Sequence, residues 1–236
     1  MCFGCGGRNP RRLKLELHPM CASQMKGRET EAKFLVESLA LLRKIGSLDC
    51  LGPFRLIHRQ SERQENTYWD TEDLRLRRGR AALKMRRVGS RAEVTFKREI
   101  AYRNGVSDRI EVTVPYRPID STRLIEPIRL ARKITGSRPL KEVLTLRTFR
   151  RKLLFGCSRQ RIELDLDRVV VQRAGKPVAT HREVELENLS ASEVLFREAL
   201  RAFKGRFGRA LRFSRVSKYE MGLRLLKSRC RVQVGL

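Results

Sequence analysis

The chain has 236 residues, of which 33% are charged, and Lys+Arg 53 against Asp+Glu 26 leaves a formal charge of +27. The length suits one large domain, and the charge favours anionic partners: polyphosphate, a nucleoside triphosphate or RNA. No apolar run reaches the roughly 18 residues of a membrane-spanning helix, and Met1 to Gly7 lacks the charged-then-apolar order of a signal peptide. No membrane association and a cytoplasmic location are therefore expected.

Six cysteines are scattered along the chain, without the density of a disulfide framework. Cys2, Cys5, His18 and Cys21 have C-x2-C and H-x2-C spacing and could close a tetrahedral zinc site. Gly-Gly, Arg-Arg and Pro in the same stretch argue instead for a poorly ordered leader over residues 1–26, or a start codon placed too early.

Arg28 to Leu35 reads as the first strand. Alternation puts Glu29, Glu31 and Lys33 of Glu29-Thr30-Glu31-Ala32-Lys33 on one face. Paired carboxylates suit a hard cation, and a neighbouring ammonium suits a phosphate. Glu37 to Ile45 has helical spacing, with Leu39, Leu42 and Ile45 on one stripe. Pro53 to Ser61 and Gln64 to Asp70 read as two strands around a polar turn, and Leu74 to Gly79 as a connector. Asp70 and Asp73 are expected to shape a turn. Ala82 to Arg87, Ala92 to Arg98 and Val106 to Val114 alternate as strands, and Ser121 to Lys133 has helical periodicity.

Val143 to Phe155, Arg161 to Val171 and Thr180 to Leu186 continue the strand pattern, with turns expected at Gly156 and Gly175. Ser190 to Phe203 reads as a helix capped by Ser190 or Ser192 and ended by Gly205 and Gly208. Ser214 to Leu226 is a short basic stretch, and residues 227–236 read as a tail. His58 and His181 lack a metal-ligand partner at suitable spacing and are not expected to be ligands.

Many successive strands carry charges on one face and Leu, Val, Ile or Phe on the other. Closing such a sheet with its apolar face outward, under helices, would leave a charged interior. Buried charge is costly unless paired, hydrated or bound to a ligand, so that arrangement would imply a function. A sandwich with its charges in solvent is the plainer alternative.

The charged positions form two chemical sets. The basic one holds Lys84 and Arg86, Lys97, Arg109, and Arg147 with Arg151, whose alternation excludes Arg150 from their face. The acidic one holds the row Glu163, Asp165, Asp167 and the row Glu183, Glu185, Glu187. Such carboxylates raise one another's pKa values unless cations separate them, and a divalent metal would also bridge to phosphate.

With these motifs in order, the chain resembles the CYTH superfamily, the triphosphate tunnel metalloenzymes. The resemblance rests on the E-x-E-x-K pentad and on Tyr68-Trp69-Asp70-Thr71. It is supported by Lys84-Met85-Arg86, Thr95-Phe96-Lys97, Arg109-Ile110-Glu111, the two late acidic strands and Ser217-Lys218-Tyr219. It implies an α+β, mainly antiparallel fold: an eight-stranded closed β-barrel forming a tunnel, with flanking helices, over residues 27–226.

The resemblance further implies Mg2+ or Mn2+ at Glu29, Glu31, Glu183 and Glu185. Phosphate contacts would come from Lys33, Lys84, Arg86, Lys97, Arg109, Arg147 and Arg151. Catalytic duties would fall to Glu111, Asp167 and Lys218. Thr113 stands where the family often has a further Glu. The expected activity is metal-dependent hydrolysis of inorganic triphosphate or a related small triphosphate. The alternatives are a class IV-type adenylate cyclase or thiamine triphosphatase of the same family, or a non-catalytic polyphosphate- or RNA-binding module.

Overall fold

In this computed structural model, residues 25–116 and 125–232 are described. The cysteine and histidine set at Cys2, Cys5, His18 and Cys21, and the expected leader up to residue 24, lie outside them.

The strands are β1 (Met25–Val36), β2 (Cys50–Leu51), β3 (Phe54–Asp70), β4 (Ala81–Val88), β5 (Arg91–Arg103), β6 (Val106–Pro115), β7 (Lys141–Cys157), β8 (Gln160–Arg173), β9 (Lys176–Asn188) and β10 (Leu211–Phe213). The helices are α1 (Leu39–Gly46), α2 (Arg75–Arg78), α3 (Glu126–Thr135), α4 (Glu193–Phe207) and α5 (Lys218–Val232). The pairing order β1-β6-β5-β4-β3-β7-β8-β9 returns to β1, so eight antiparallel strands close a barrel. β1 achieves closure by length. Its first half pairs β6, from Met25↔Thr113 to Ala32↔Val106, and its second half pairs β9, from Thr30↔Asn188 to Leu35↔Glu183.

The apolar face does point outward. Phe34, Leu164, Leu166, Val184 and Leu186 leave the barrel wall of β1, β8 and β9 and pack under Phe196 and Phe203 of α4 and Ile45 of α1. Burying each such side chain stabilises the fold by about 1.5–3 kcal/mol. A second outer cluster packs Leu83, Val94, Phe96 and Val114 under Leu76 of α2 and Ala131 of α3. Caps set the helix starts: Ser38 Oγ accepts from Leu41 N at 3.0 Å, and Ser192 Oγ from Leu195 N at 3.3 Å. No described helix is long and apolar enough to cross a membrane.

Several boundaries differ from those expected. Phe54–Asp70 is one continuous strand, because β7 pairs it through the polar segment from Ser61↔Arg151 to Gln64↔Thr148. The connector after Asp70 contains the short helix α2. Of the helix expected from Ser121, the described part is Glu126–Thr135, and residues 121–124 lie outside the description. Gly156 is in β7, not in a turn; the turn falls at Ser158, whose φ is 52°. A Cβ on Gly156 would sit 2.3 Å from Cδ1 of Ile57, the end of an exposed side chain that lies over the glycine. α4 runs through Gly205 to Phe207.

The largest omission is α5. Its helix continues to Val232, past the expected domain end at Leu226, and it packs against one end of the barrel's inward face. There Tyr219 and Leu223 meet Tyr68, Leu144, Leu146, Val169 and Val171, with the Tyr68 and Tyr219 rings stacked at 5.1 Å. Gly222 permits this approach, since a Cβ there would lie 2.5 Å from Leu144 Cδ2. Asp70 anchors the helix. Its buried carboxylate accepts from Thr71 N, Leu76 N, Arg77 N and the Tyr219 hydroxyl, at 2.7 to 3.0 Å.

Candidate active site

Strand alternation turns the charged residues into a cavity of about 860 Å³. From β1 come Glu29, Glu31 and Lys33, all buried. β4 contributes Lys84 and Arg86, β5 Lys97, β6 Arg109 and Glu111, and β7 Arg150 and Lys152. Glu163 of β8, Glu185 and Glu187 of β9, and Lys218 from the first turn of α5 complete the lining. Asp165, Asp167 and Glu183 stand behind them, almost fully buried.

The cations fall into two groups, one across the barrel from the acidic strands and one paired among their carboxylates. Across the barrel from the acidic strands β8 and β9 stand Lys84, Arg86 and Lys97. Lys97 Nζ bridges Glu29 and Glu111, each at 2.7 Å. Burial works against that charge, and Glu29 and Glu111 more than offset it, so the Lys97 pKa is raised. Burial would push the Glu111 carboxyl up, yet Lys97 and Lys84 hold it down at about 2. Lys84 has no ion-pair partner among the described residues. Burial, then Arg86 and Lys97, lower its pKa well below the ordinary lysine value. An unpartnered buried amine beside two more cations is a place where an anion gains binding energy.

On the acidic side, Asp167, Glu183 and Glu185 offer oxygens within 4.8 Å of one another, and so do Glu163, Asp165 and Glu187. Lys218 Nζ reaches Glu185 at 2.6 Å, Asp167 at 2.9 Å and also Glu183. Lys33 Nζ lies 2.6 Å from Glu185 and 3.9 Å from Glu183. Arg150 grips Asp167 with two bonds of 2.8 and 2.6 Å, reaches Glu185 at 3.0 Å and touches Asp165. Burial would raise the Glu185 carboxyl, but Lys218 and Lys33 hold it well below the usual range. Glu187 has no ion-pair partner among the described residues, and Lys97 offsets its burial only in part. Burial, then Glu29, pushes it up to about 8.

This acidic wall fits a hard divalent cation. Its donors are all carboxylate oxygens. Asp165 Oδ1 is buried without a hydrogen-bond donor, and the buried Glu183 oxygens are met by the Lys218 ammonium, whose place a divalent cation would take, and by His181 at 3.4 Å. Asp167, Glu183 and Glu185 are the residues that could hold the ion.

Most of the residues singled out from the sequence meet here. Glu29 and Glu31 face the cavity but are held by Lys97 and Arg109, outside both carboxylate groups. Arg147 and Arg151 are corrections. Both point away from the cavity; Arg147 pairs with half-buried Glu65 at 3.2 Å, and Arg151 is exposed. The inward arginine of β7 is Arg150, the one that alternation had set apart. Leu153 and Phe155 share the phase of Arg147 and Arg151, and in this barrel the apolar phase is the outer one. That signal was present in the sequence, but Leu144 and Leu146, inward beneath α5, masked it. His181 lies 3.4 Å from Glu183 and is partly buried; His58 is exposed.

A family model for the CYTH domain matches residues 27–220. The chain belongs to the CYTH domain family. No curated protein sequence matches it. Among solved structures, the CYTH chain is similar to HpAC1 from Hippeastrum, an adenylyl cyclase candidate described as having a dominant triphosphatase activity. The identity is 18%, the TM-score 0.56, and the alignment covers 81% of this chain and 93% of that one. It is also similar to PH1819 from Pyrococcus horikoshii OT3, with 19% identity, TM-score 0.52, and 83% and 98% coverage. At these identities the likeness is one of fold.

Proposed function

We propose that this CYTH protein is a metal-dependent triphosphatase acting on inorganic triphosphate or a related small triphosphate, with Mg2+ or Mn2+. The observation that carries this reading is the two-sided tunnel: Lys84, without an ion-pair partner among the described residues, beside Arg86 and Lys97, across from the buried carboxylates Asp167, Glu183 and Glu185.

Lys84, Arg86 and Lys97 hold the phosphate chain, with Lys33, Arg109 and Arg150 completing the cationic lining. A divalent cation at Asp167, Glu183 and Glu185 would neutralise carboxylates and polarise phosphate oxygens, while Glu29 and Glu31 fix the phosphate-binding Lys97 and Arg109. Glu111, held near 2, is too weak a base to keep a proton; it accepts a hydrogen bond from the attacking water and orients it. Lys218 donates to the leaving phosphate from the α5 end of the tunnel. Catalysis on this account is positioning plus electrostatic stabilisation, as in phosphoryl transfer generally.

The test is phosphate release from inorganic triphosphate by the purified protein with Mg2+, with Mn2+ and with chelator, beside Glu29→Gln and Glu183→Gln. Release that needs metal and disappears in both variants is expected. Chelator-resistant release, or full activity in both variants, overturns the reading. The same samples with ATP, assayed for cyclic nucleotide, distinguish a cyclase.

A further inference from the structure

The outer wall of β3, β7 and β8 carries a feature that the tunnel does not use. Register places Arg63 of β3 directly opposite Phe149 of β7, and Phe149 directly opposite Arg168 of β8. The two guanidinium carbons lie 5.5 and 5.7 Å from the Phe149 ring centroid. The ring is nevertheless 42% exposed, on a sheet face where water gives a phenyl group no stabilisation. The row continues to Arg182 of β9, opposite Arg168. Like charges directly opposed across strands destabilise a sheet. Among the described residues, neither Arg63 nor Arg168 has a carboxylate partner, and neither does the exposed Arg151 one step along β7. One row further, Arg147 is paired with Glu65. An uncompensated arginine row around an exposed aromatic ring is therefore particular to this part of the wall.

We propose that this face, centred on Phe149, binds single-stranded nucleic acid. The ring and the guanidinium planes offer stacking surfaces for bases, which every base can use. The unpaired arginines offer contacts to backbone phosphates. A fully paired duplex hides its base faces and could use only the arginines. Inorganic polyphosphate has no bases and likewise would leave Phe149 idle. Arg63, Phe149 and Arg168 point away from the cavity, so this binding is separate from any chemistry there and does not depend on the proposed triphosphatase activity.

The test is fluorescence anisotropy with the full-length chain and a 5′-hydroxyl oligoadenylate of about 12 nucleotides, which carries no triphosphate for the tunnel. RNA and DNA forms are run side by side, with duplex and inorganic polyphosphate as competitors. The expected result is binding that Phe149→Ala weakens roughly tenfold and Phe149→Trp restores. Replacing both Arg63 and Arg168 with Gln should flatten the salt dependence, each phosphate contact accounting for about 0.7 of the log–log slope. Phe149→Ala, on the tunnel's outside, should leave triphosphate turnover or binding at its wild-type value. The proposal is overturned if Phe149→Ala binds the oligonucleotide as well as wild type. It is equally overturned if polyphosphate at equal charge competes as well as the single strand, since the surface would then be a non-specific polyanion sink.

Discussion

Replacing Arg150 with Met should destabilise the protein strongly, whereas Arg147→Ala and Arg151→Ala should not. Arg150 is 8% exposed and serves Asp165, Asp167 and Glu185 together. Asp167 and Glu185 keep Lys218 after the substitution. Asp165 loses its only ion-pair partner among the described residues, and burial already pushes its carboxyl up. Breaking one side of a buried ion pair costs about 3–5 kcal/mol. For a chain of this size, each kcal/mol is worth about 2–4 °C, so Tm should fall by roughly 6–20 °C. The exposed arginines should change stability by no more than about 0.5 kcal/mol. Thermal unfolding followed by circular dichroism, in chelator, measures all three. The sign with pH also follows: the deficit of the Arg150 variant should shrink as pH falls, because Asp165 escapes its unpaired charge by taking a proton. A Tm for Arg150→Met within 2 °C of the Arg147→Ala value would refute the buried network.

Four further outcomes are expected. Phosphate should raise the depressed Lys84 pKa, so across a pH series Lys84→Met should reduce the proton uptake on triphosphate binding, read from calorimetric enthalpies in buffers of different ionisation, while weakening binding. Glu111, depressed from 4.5 to about 2, contributes stability that is complete above pH 4.5 and lost as pH falls toward 2. The Tm of Glu111→Gln should therefore converge on wild type in acid. Tyr219→Phe removes one donor from buried Asp70 and should cost about 1.5–3 kcal/mol in denaturant unfolding. Gly156→Ala should leave stability in denaturant unfolding within about 1 kcal/mol of wild type, because the Ile57 Cδ1 it would meet is the exposed end of a flexible side chain that can turn aside.

Local pattern alone determined much of this protein. Period-2 alternation of charge against Leu, Val and Phe marked most of the strands, and it put Glu29, Glu31 and Lys33 on one face because a strand can do nothing else with that spacing. The same pattern left open whether the apolar face turns outward over a charged interior or inward in a sandwich, and the closure of β1 onto β9 decided it. Tertiary structure decided the rest. Which phase of β7 faces inward depends on the helices that cover the other phase, so Arg150 and not Arg147 or Arg151 enters the tunnel. Ser214 to Leu226 looked merely basic, because the apolar positions of α5 have meaning only against Tyr68, Leu146 and Val169, distant in sequence. The grouping of Asp167 with Glu183 and Glu185, and of Glu163 with Asp165 and Glu187, came from the β8–β9 register. Alternation assigns a face but not a neighbour, and electrostatics acts between neighbours.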